Sequence, residues 1–285
     1  MSTRLYKIGL MQVVLLLALL PLSKTASGQQ MIAGYDFSEP DQVLKLSKSL
    51  KEISGLASGP DGQLYAVQDE KGIIFQLNPD DGSILAEQKF YGDGDYEGIE
   101  RVGNTMYILR SSGHLFEVDL GQRGGIKATR KSRLNLPSRC DAEALGSDPA
   151  AGTLWVGCKN ADGVKGKKTR SLFRLTVEND KWEAKLKVSI NQKMLTEANS
   201  DSKWSINKFM PSGLTIREYV IFVLSAVNDL LLIIQPTRVD MVELSEMGLP
   251  QAEGIALGAD GTLYIASEGV GSRARLLAFR HHPTN

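Results

Sequence analysis

Five residues stand in matching positions along the chain and carry groups that could do chemistry: Ser54, Glu97, Glu143, Ser212 and Glu253. Each precedes a small residue in one short pattern. The pattern reads Ile53-Ser54-Gly55-Leu56, Tyr96-Glu97-Gly98-Ile99, Ala142-Glu143-Ala144-Leu145, Pro211-Ser212-Gly213-Leu214 and Ala252-Glu253-Gly254-Ile255. If the five units share one register around a common axis, these side chains meet at one end of it. Three carboxylates in a partly desolvated channel repel one another. They must take up protons, pair with cations or bind a metal. A set of oxygen ligands suits a hard cation, above all Ca2+, which is the expected cofactor. Glu100 and Asp141 flank the set. Asp69 and Glu268 follow second strands on the same face and would extend the anionic site. Arg110 and Lys159 follow the equivalent strands in other units and support the alternative, glutamates balanced in a salt-bridge ring.

The elements that must position these residues are repeated as well. An aliphatic–aromatic pair stands 9 to 11 residues after each small position: Leu64-Tyr65, Met106-Tyr107, Leu154-Trp155, Ile221-Phe222 and Leu263-Tyr264. A third apolar strand follows in each unit, as in Ile73-Ile74-Phe75-Gln76-Leu77 and Leu230-Leu231-Leu232-Ile233-Ile234. Fourth strands are more polar, as an outer edge should be. Four short strands per repeat of roughly 40 residues describe the blades of a β-propeller. The expected fold is therefore all-β, a single five-bladed propeller in which the five aromatics pack between blades. The fifth unit ends after its third strand, so Val43-Leu44-Lys45-Leu46 is expected to complete it and close the ring. Spacings between the small positions are 43, 46, 69 and 41. The long gap places an insertion, or a degenerate sixth blade, at residues 191–209.

Residues 1–28 read as a secretory signal peptide. Arg4 and Lys7 precede an apolar run over residues 8–22, and a small-residue stretch leads to Gly28. The run is shorter than the roughly 20 residues a membrane span needs. The mature domain is then 29–285, in the periplasm, in the envelope or outside the cell, with no membrane span. Without Arg4, Lys7 and Lys24 the chain keeps 30 basic against 33 acidic side chains, about −3 in all. Nothing in that balance suits nucleic acid. Cys140 and Cys158 flank a hairpin turning near Pro149, which brings them almost opposite each other. An oxidising compartment favours a disulfide there over two free thiols.

Other residues offer less. His114, His281 and His282 are the only histidines, and no two have zinc-ligand spacing. No nucleophile elbow, phosphate loop or dinucleotide fingerprint occurs. Asp93-Gly94-Asp95 reads as a turn or a calcium loop, and residues 165–170 as a solvated basic loop.

Three segments resemble the SdiA-regulated family of bacterial exported or envelope proteins, which are distantly similar to NHL-repeat propellers. They are Glu52-Ile53-Ser54-Gly55-Leu56 through Val67, Tyr96-Glu97-Gly98-Ile99-Glu100, and Ala252-Glu253-Gly254-Ile255 through Glu268. The resemblance covers residues 50–279 and is strongest in blades one, two and five. It implies a five-bladed propeller with bound calcium, carried here by Glu97, Glu143 and Glu253, and no established enzymatic activity. The family pattern has an acidic residue after the second strand of blade two, where Arg110-Ser111 stand here. If that acid is a ligand, calcium binding here is weaker or absent. The reading that results is a calcium-binding, non-enzymatic protein that engages a protein or glycan, with residues 191–209 as its binding face. The alternative is a calcium-dependent hydrolase, a lactonase- or phytase-like esterase.

Overall fold

A computed structural model describes residues 31–120, 127–160, 168–201 and 203–283. The expected signal segment and residues 165–167 of the basic loop lie outside the described residues.

The chain opens with a hairpin of β1 (Met31–Ile32) and β2 (Tyr35–Asp36), then β3 (Gln42–Lys45). Blade 1 follows as β4 (Ile53–Ser58), β5 (Leu64–Gln68), β6 (Ile73–Leu77) and β7 (Ile84–Lys89). Blade 2 is β8 (Tyr96–Val102), β9 (Thr105–Arg110), β10 (His114–Asp119) and β11 (Ala128–Arg133). Blade 3 is β12 (Ala142–Asp148), β13 (Thr153–Cys158), β14 (Arg170–Glu178) and β15 (Lys181–Ile190). A helix, α1 (Gln192–Ala198), leads to blade 4, which is β16 (Pro211–Arg217), β17 (Val220–Ser225), β18 (Leu230–Ile234) and β19 (Val239–Glu243). Blade 5 is β20 (Ala252–Leu257), β21 (Leu263–Ser267) and β22 (Arg275–Phe279), with β3 as its outer strand. β3 pairs antiparallel to β22, Val43 opposite Leu277 and Leu44 opposite Leu276. The two ends of the chain thus share one sheet and close a five-bladed ring.

Each blade is covered on both faces by its neighbours, so its middle strands carry a buried apolar centre. β5 is buried along its whole length, and β18 nearly so. Outer strands alternate half-buried with exposed, as β7 does. Five apolar clusters fill the five seams between blades. Each repeat aromatic occupies a different seam: Tyr65 between blades 1 and 2, Tyr107 between 2 and 3, Trp155 between 3 and 4, Phe222 between 4 and 5, Tyr264 between 5 and 1.

Residues 191–209 form no blade. Asn191 caps α1, its side-chain oxygen accepting from Met194 N at 3.2 Å. Leu195, Ile206 and Phe209 are buried in the seam of blades 3 and 4. The segment is thus the expected insertion rather than a sixth blade, with its apolar side in the core and its outer side exposed. The sequence reading did not foresee the N-terminal hairpin. Its Tyr35 is fully buried among Phe37, Phe222 and His281, and donates to Gly261 O at 2.8 Å.

The small repeat residue has a steric cause. A Cβ on Gly55 would lie 2.7 Å from Gly98 Cα of the next blade, and one on Gly213 would lie 2.3 Å from Glu253 O. Inner strands meet here backbone to backbone. Cys140 and Cys158 form a disulfide with Cα atoms 5.0 Å apart. Cys158 stands opposite Ala142, so Cys140 reaches it from just before the strand.

Two outcomes are expected. Gly213→Ala should destabilise the ring by about 1–3 kcal/mol through overpacking, measured by urea unfolding against an exposed control such as Gly92→Ala, where an added Cβ meets nothing within 4 Å. Replacing both cysteines with serine should lower stability by about 2–4 kcal/mol, read in the same assay under oxidising conditions.

Candidate functional site: an acidic mouth on the propeller axis

The five repeat residues reach the axis through one local irregularity. In every blade the pairing of first and second strand slips at the same place. Ile53 pairs with Gln68 and Gly55 with Val67, Tyr96 with Arg110 and Gly98 with Leu109. The slip recurs at Ala142 and Ala144, Pro211 and Gly213, and Ala252 and Gly254. The skipped residues are Ser54, Glu97, Glu143, Ser212 and Glu253. A β-bulge leaves its extra residue unpaired and re-aims it, and here five bulges present these side chains at one mouth of the channel.

The same register defines a second tier. The residue just past each second strand is Asp69, Ser111, Lys159, Ala226 and Glu268 in blades 1 to 5. Asp69 N, Ser111 N, Lys159 N and Glu268 N each donate to the residue before their own first strand: Glu52, Asp95, Asp141 and Gln251. In blade 2 the tier residue is therefore Ser111, and Arg110 belongs one step earlier. Arg110 lies over the Tyr96 ring at 5.4 Å and against Gly94. Ser111 Oγ donates to Asp95, which brings the Asp93-Gly94-Asp95 turn into the site.

The charges are unevenly distributed. In blade 3 Lys159 Nζ meets Glu143 Oε1 at 2.7 Å, so that glutamate carries its own counter-charge. Blade 4 is neutral. Ser212 Oγ donates to Ala252 O at 3.0 Å and accepts from Ala226 N at 3.0 Å, so it fastens blade 4 to blade 5. Blades 5, 1 and 2, which are contiguous, hold Glu253, Glu268, Asp69, Glu97 and Asp95. Burial and then neighbouring Glu143, Asp95 and Glu253 push Glu97 up to about 9. Glu97 also shares a hydrogen bond with Asp95, a contact between two acids that needs a proton. Burial, Glu268 and Glu143 raise Glu253 to about 8. Glu143, raised by burial to about 7, is drawn back by Lys159. Asp69 and Glu268 are raised by burial and by nearby acids.

Two buried oxygens here, Ser54 Oγ and Asp69 Oδ1, have no hydrogen-bond partner. Among the described residues no three His, Cys, Asp or Glu side chains stand close enough together to hold a metal ion. The donor chemistry nevertheless fits a hard cation: carboxylates, a hydroxyl and unpartnered oxygens. Glu100 does not belong to this set. It lies three residues along β8 from Glu97, about 10 Å at strand rise, and lines a cavity at the opposite mouth.

A five-bladed propeller with a bulge-built acidic mouth is the class these observations define. A sequence profile of the SdiA-regulated family matches residues 34–270, and the chain belongs to that family. No curated protein matches it in sequence. Among solved structures, the chain is similar to the glutaminyl cyclase of Myxococcus xanthus, with a TM-score of 0.58 and 16% identity over 87% of this chain and 97% of that one. It is also similar to the PQQ-bound aldose sugar dehydrogenase of Streptomyces coelicolor, with a TM-score of 0.55 and 15% identity over 85% and 97%. At such identities the likeness is one of fold.

The raised carboxyls carry a pH dependence. The folded state keeps protons on Glu97 and Glu253 that the unfolded chain releases near pH 4.5. Their contribution to stability is full below that pH and drains away as pH rises through 8 to 9. In chelator, the melting temperature should fall between pH 5 and 9, and Glu97→Gln should flatten that fall. Thermal unfolding at stepped pH measures both.

Proposed function

We propose that this is an exported, non-enzymatic protein of the bacterial periplasm or cell surface, whose acidic mouth holds Ca2+ and which engages a protein or glycan through that face. The observation that carries the reading is the concentration of uncompensated acids on blades 5, 1 and 2. Glu97 and Glu253, with Asp69, Glu268 and Ser54 around them, would hold the ion. Bound there, the ion would supply the positive charge that Lys159 supplies to Glu143 alone. It would also cross-link the first and last blades, where the ring closes. Ser212 has already committed its hydroxyl to the blade 4–5 seam and is the weakest candidate ligand. Export is supported by the signal-like segment and by the disulfide, which suits an oxidising compartment. A binding role is supported by the placement of the histidines. His114 heads a third strand, two strands out from the axis, and His281 packs on Tyr35.

The test is thermal unfolding of residues 29–285 in chelator and in millimolar Ca2+. At a hundredfold excess over Kd the native state gains about 2.7 kcal/mol, or roughly 5–10 °C at roughly 2–4 °C per kcal/mol. Glu97→Gln and Glu253→Gln should lose that gain, while Glu143→Gln, already paired with Lys159, should keep most of it. An unshifted wild type would overturn the calcium assignment. Calcium-dependent turnover of lactone, aryl ester or phytate would overturn the non-enzymatic one.

A further inference from the structure

The opposite mouth of the channel is a second concavity. Its volume is about 400 Å3 and every blade contributes to its wall, which places it among ordinary small-molecule pockets of roughly 300–1000 Å3. On one side is Glu100, only 6% exposed. Its Oε1 accepts from Arg101 N at 2.8 Å, and the hydroxyl and backbone N–H of Ser147 on blade 3 also bond to it. The carboxyl is thus held between blades 2 and 3. Among the described residues, no lysine or arginine nitrogen lies within 4.0 Å of it. Burial pushes Glu100 up to about 7, only partly offset by these donors and by the charge of nearby Arg101, and a cationic group arriving from the cavity would hold it as the carboxylate.

The same cavity has anchored cations on its other walls. Arg101 is fastened by Nε to Ser58 O at 2.9 Å and by Nη1 to Gly103 O at 2.7 Å. Arg217 Nη1 donates to the Tyr35 hydroxyl at 3.2 Å, which leaves most of its five N–H groups for another acceptor. Of the other acids, Asp260 is occupied by its own turn, accepting from Thr262 N and Oγ1 at 2.9 and 2.8 Å. Glu218 stands in the turn after β16 at the rim. Ile216 and Leu257 supply an apolar surface between the charged sides.

We propose that this mouth binds a free α-amino acid as its zwitterion, the ammonium on Glu100, the carboxylate on Arg217, and a short apolar side chain against Ile216 and Leu257. A neutral sugar would leave both charges unanswered, and a simple amine or carboxylate would answer only one. The site lies at the other end of the axis from the acidic mouth and does not depend on it.

The test is calorimetric titration in chelator, which removes any contribution from the acidic mouth. The probes are L-alanine and L-leucine, with propylamine, propionate and glucose as controls, against wild type, Arg217→Ala and Glu100→Gln. Saturable binding of an amino acid is expected in wild type, at least about tenfold weaker in each variant and for each control. Arg217 is not part of the core, so its variant decides the matter even if Glu100→Gln fails to fold. No amino-acid binding at millimolar concentration, unchanged binding in Arg217→Ala, or equal binding of glucose or propylamine would overturn the proposal.

Discussion

Gly55, Gly98, Gly213 and Gly254 stand where inner strands of neighbouring blades come into direct contact, within about a Cβ's reach of the next backbone or Cβ. Only five blades circle this axis, so their inner strands converge more tightly than strands in an open sheet. That crowding requires a small residue once per repeat. It also makes each sheet a wedge, thin at the axis and broad outside, with the aromatic of the second strand filling the space that opens beyond the contact.

The bulge belongs to the same constraint. With the small residue turned toward the neighbouring blade, the residue before it is released from the ladder and faces the channel. The protein uses this place differently in each blade: an unpartnered serine, an acid paired with an acid, an acid paired with lysine, a serine tied to backbone, and an acid among acids. The fold supplies five equivalent positions, and the side chains make them electrostatically unequal. Charge gathers on blades 5, 1 and 2, beside the point where β3 closes the ring.

The channel therefore has two chemically distinct ends. One is an oxygen-rich, proton-holding mouth that suits a hard cation. The other gathers a buried carboxyl, two anchored guanidiniums and apolar side chains around one cavity. Propellers of the same fold serve unrelated chemistries, and a sugar dehydrogenase and a glutaminyl cyclase stand among the structures this chain resembles in outline. The chemistry of this chain is therefore to be sought in the side chains at its two mouths rather than in the ring.

Much of this was legible in the chain itself, because a propeller is built by repetition. The small residue, the aromatic after it and the apolar third strand are each local features, so five copies point to five blades and to ring closure at Val43 and Leu44, while the absence of a sixth blade at residues 191–209 had to come from the fold. The three axial glutamates and the proximity of Cys140 to Cys158 follow from the same alignment. What the tertiary structure decided is which groups meet. Glu97 and Glu100 look like neighbours in sequence, yet strand rise sends them to opposite mouths. Asp69 and Lys159 are equivalent by strand count alone, but only the register puts Ser111 rather than Arg110 beside them, and only the fold shows Lys159 cancelling the charge of Glu143 while Asp69 adds to its neighbours'. The hairpin at Tyr35 and the plug at residues 191–209 were opaque for a similar reason. Their apolar residues find partners far along the chain, in seams that exist only once the ring has closed.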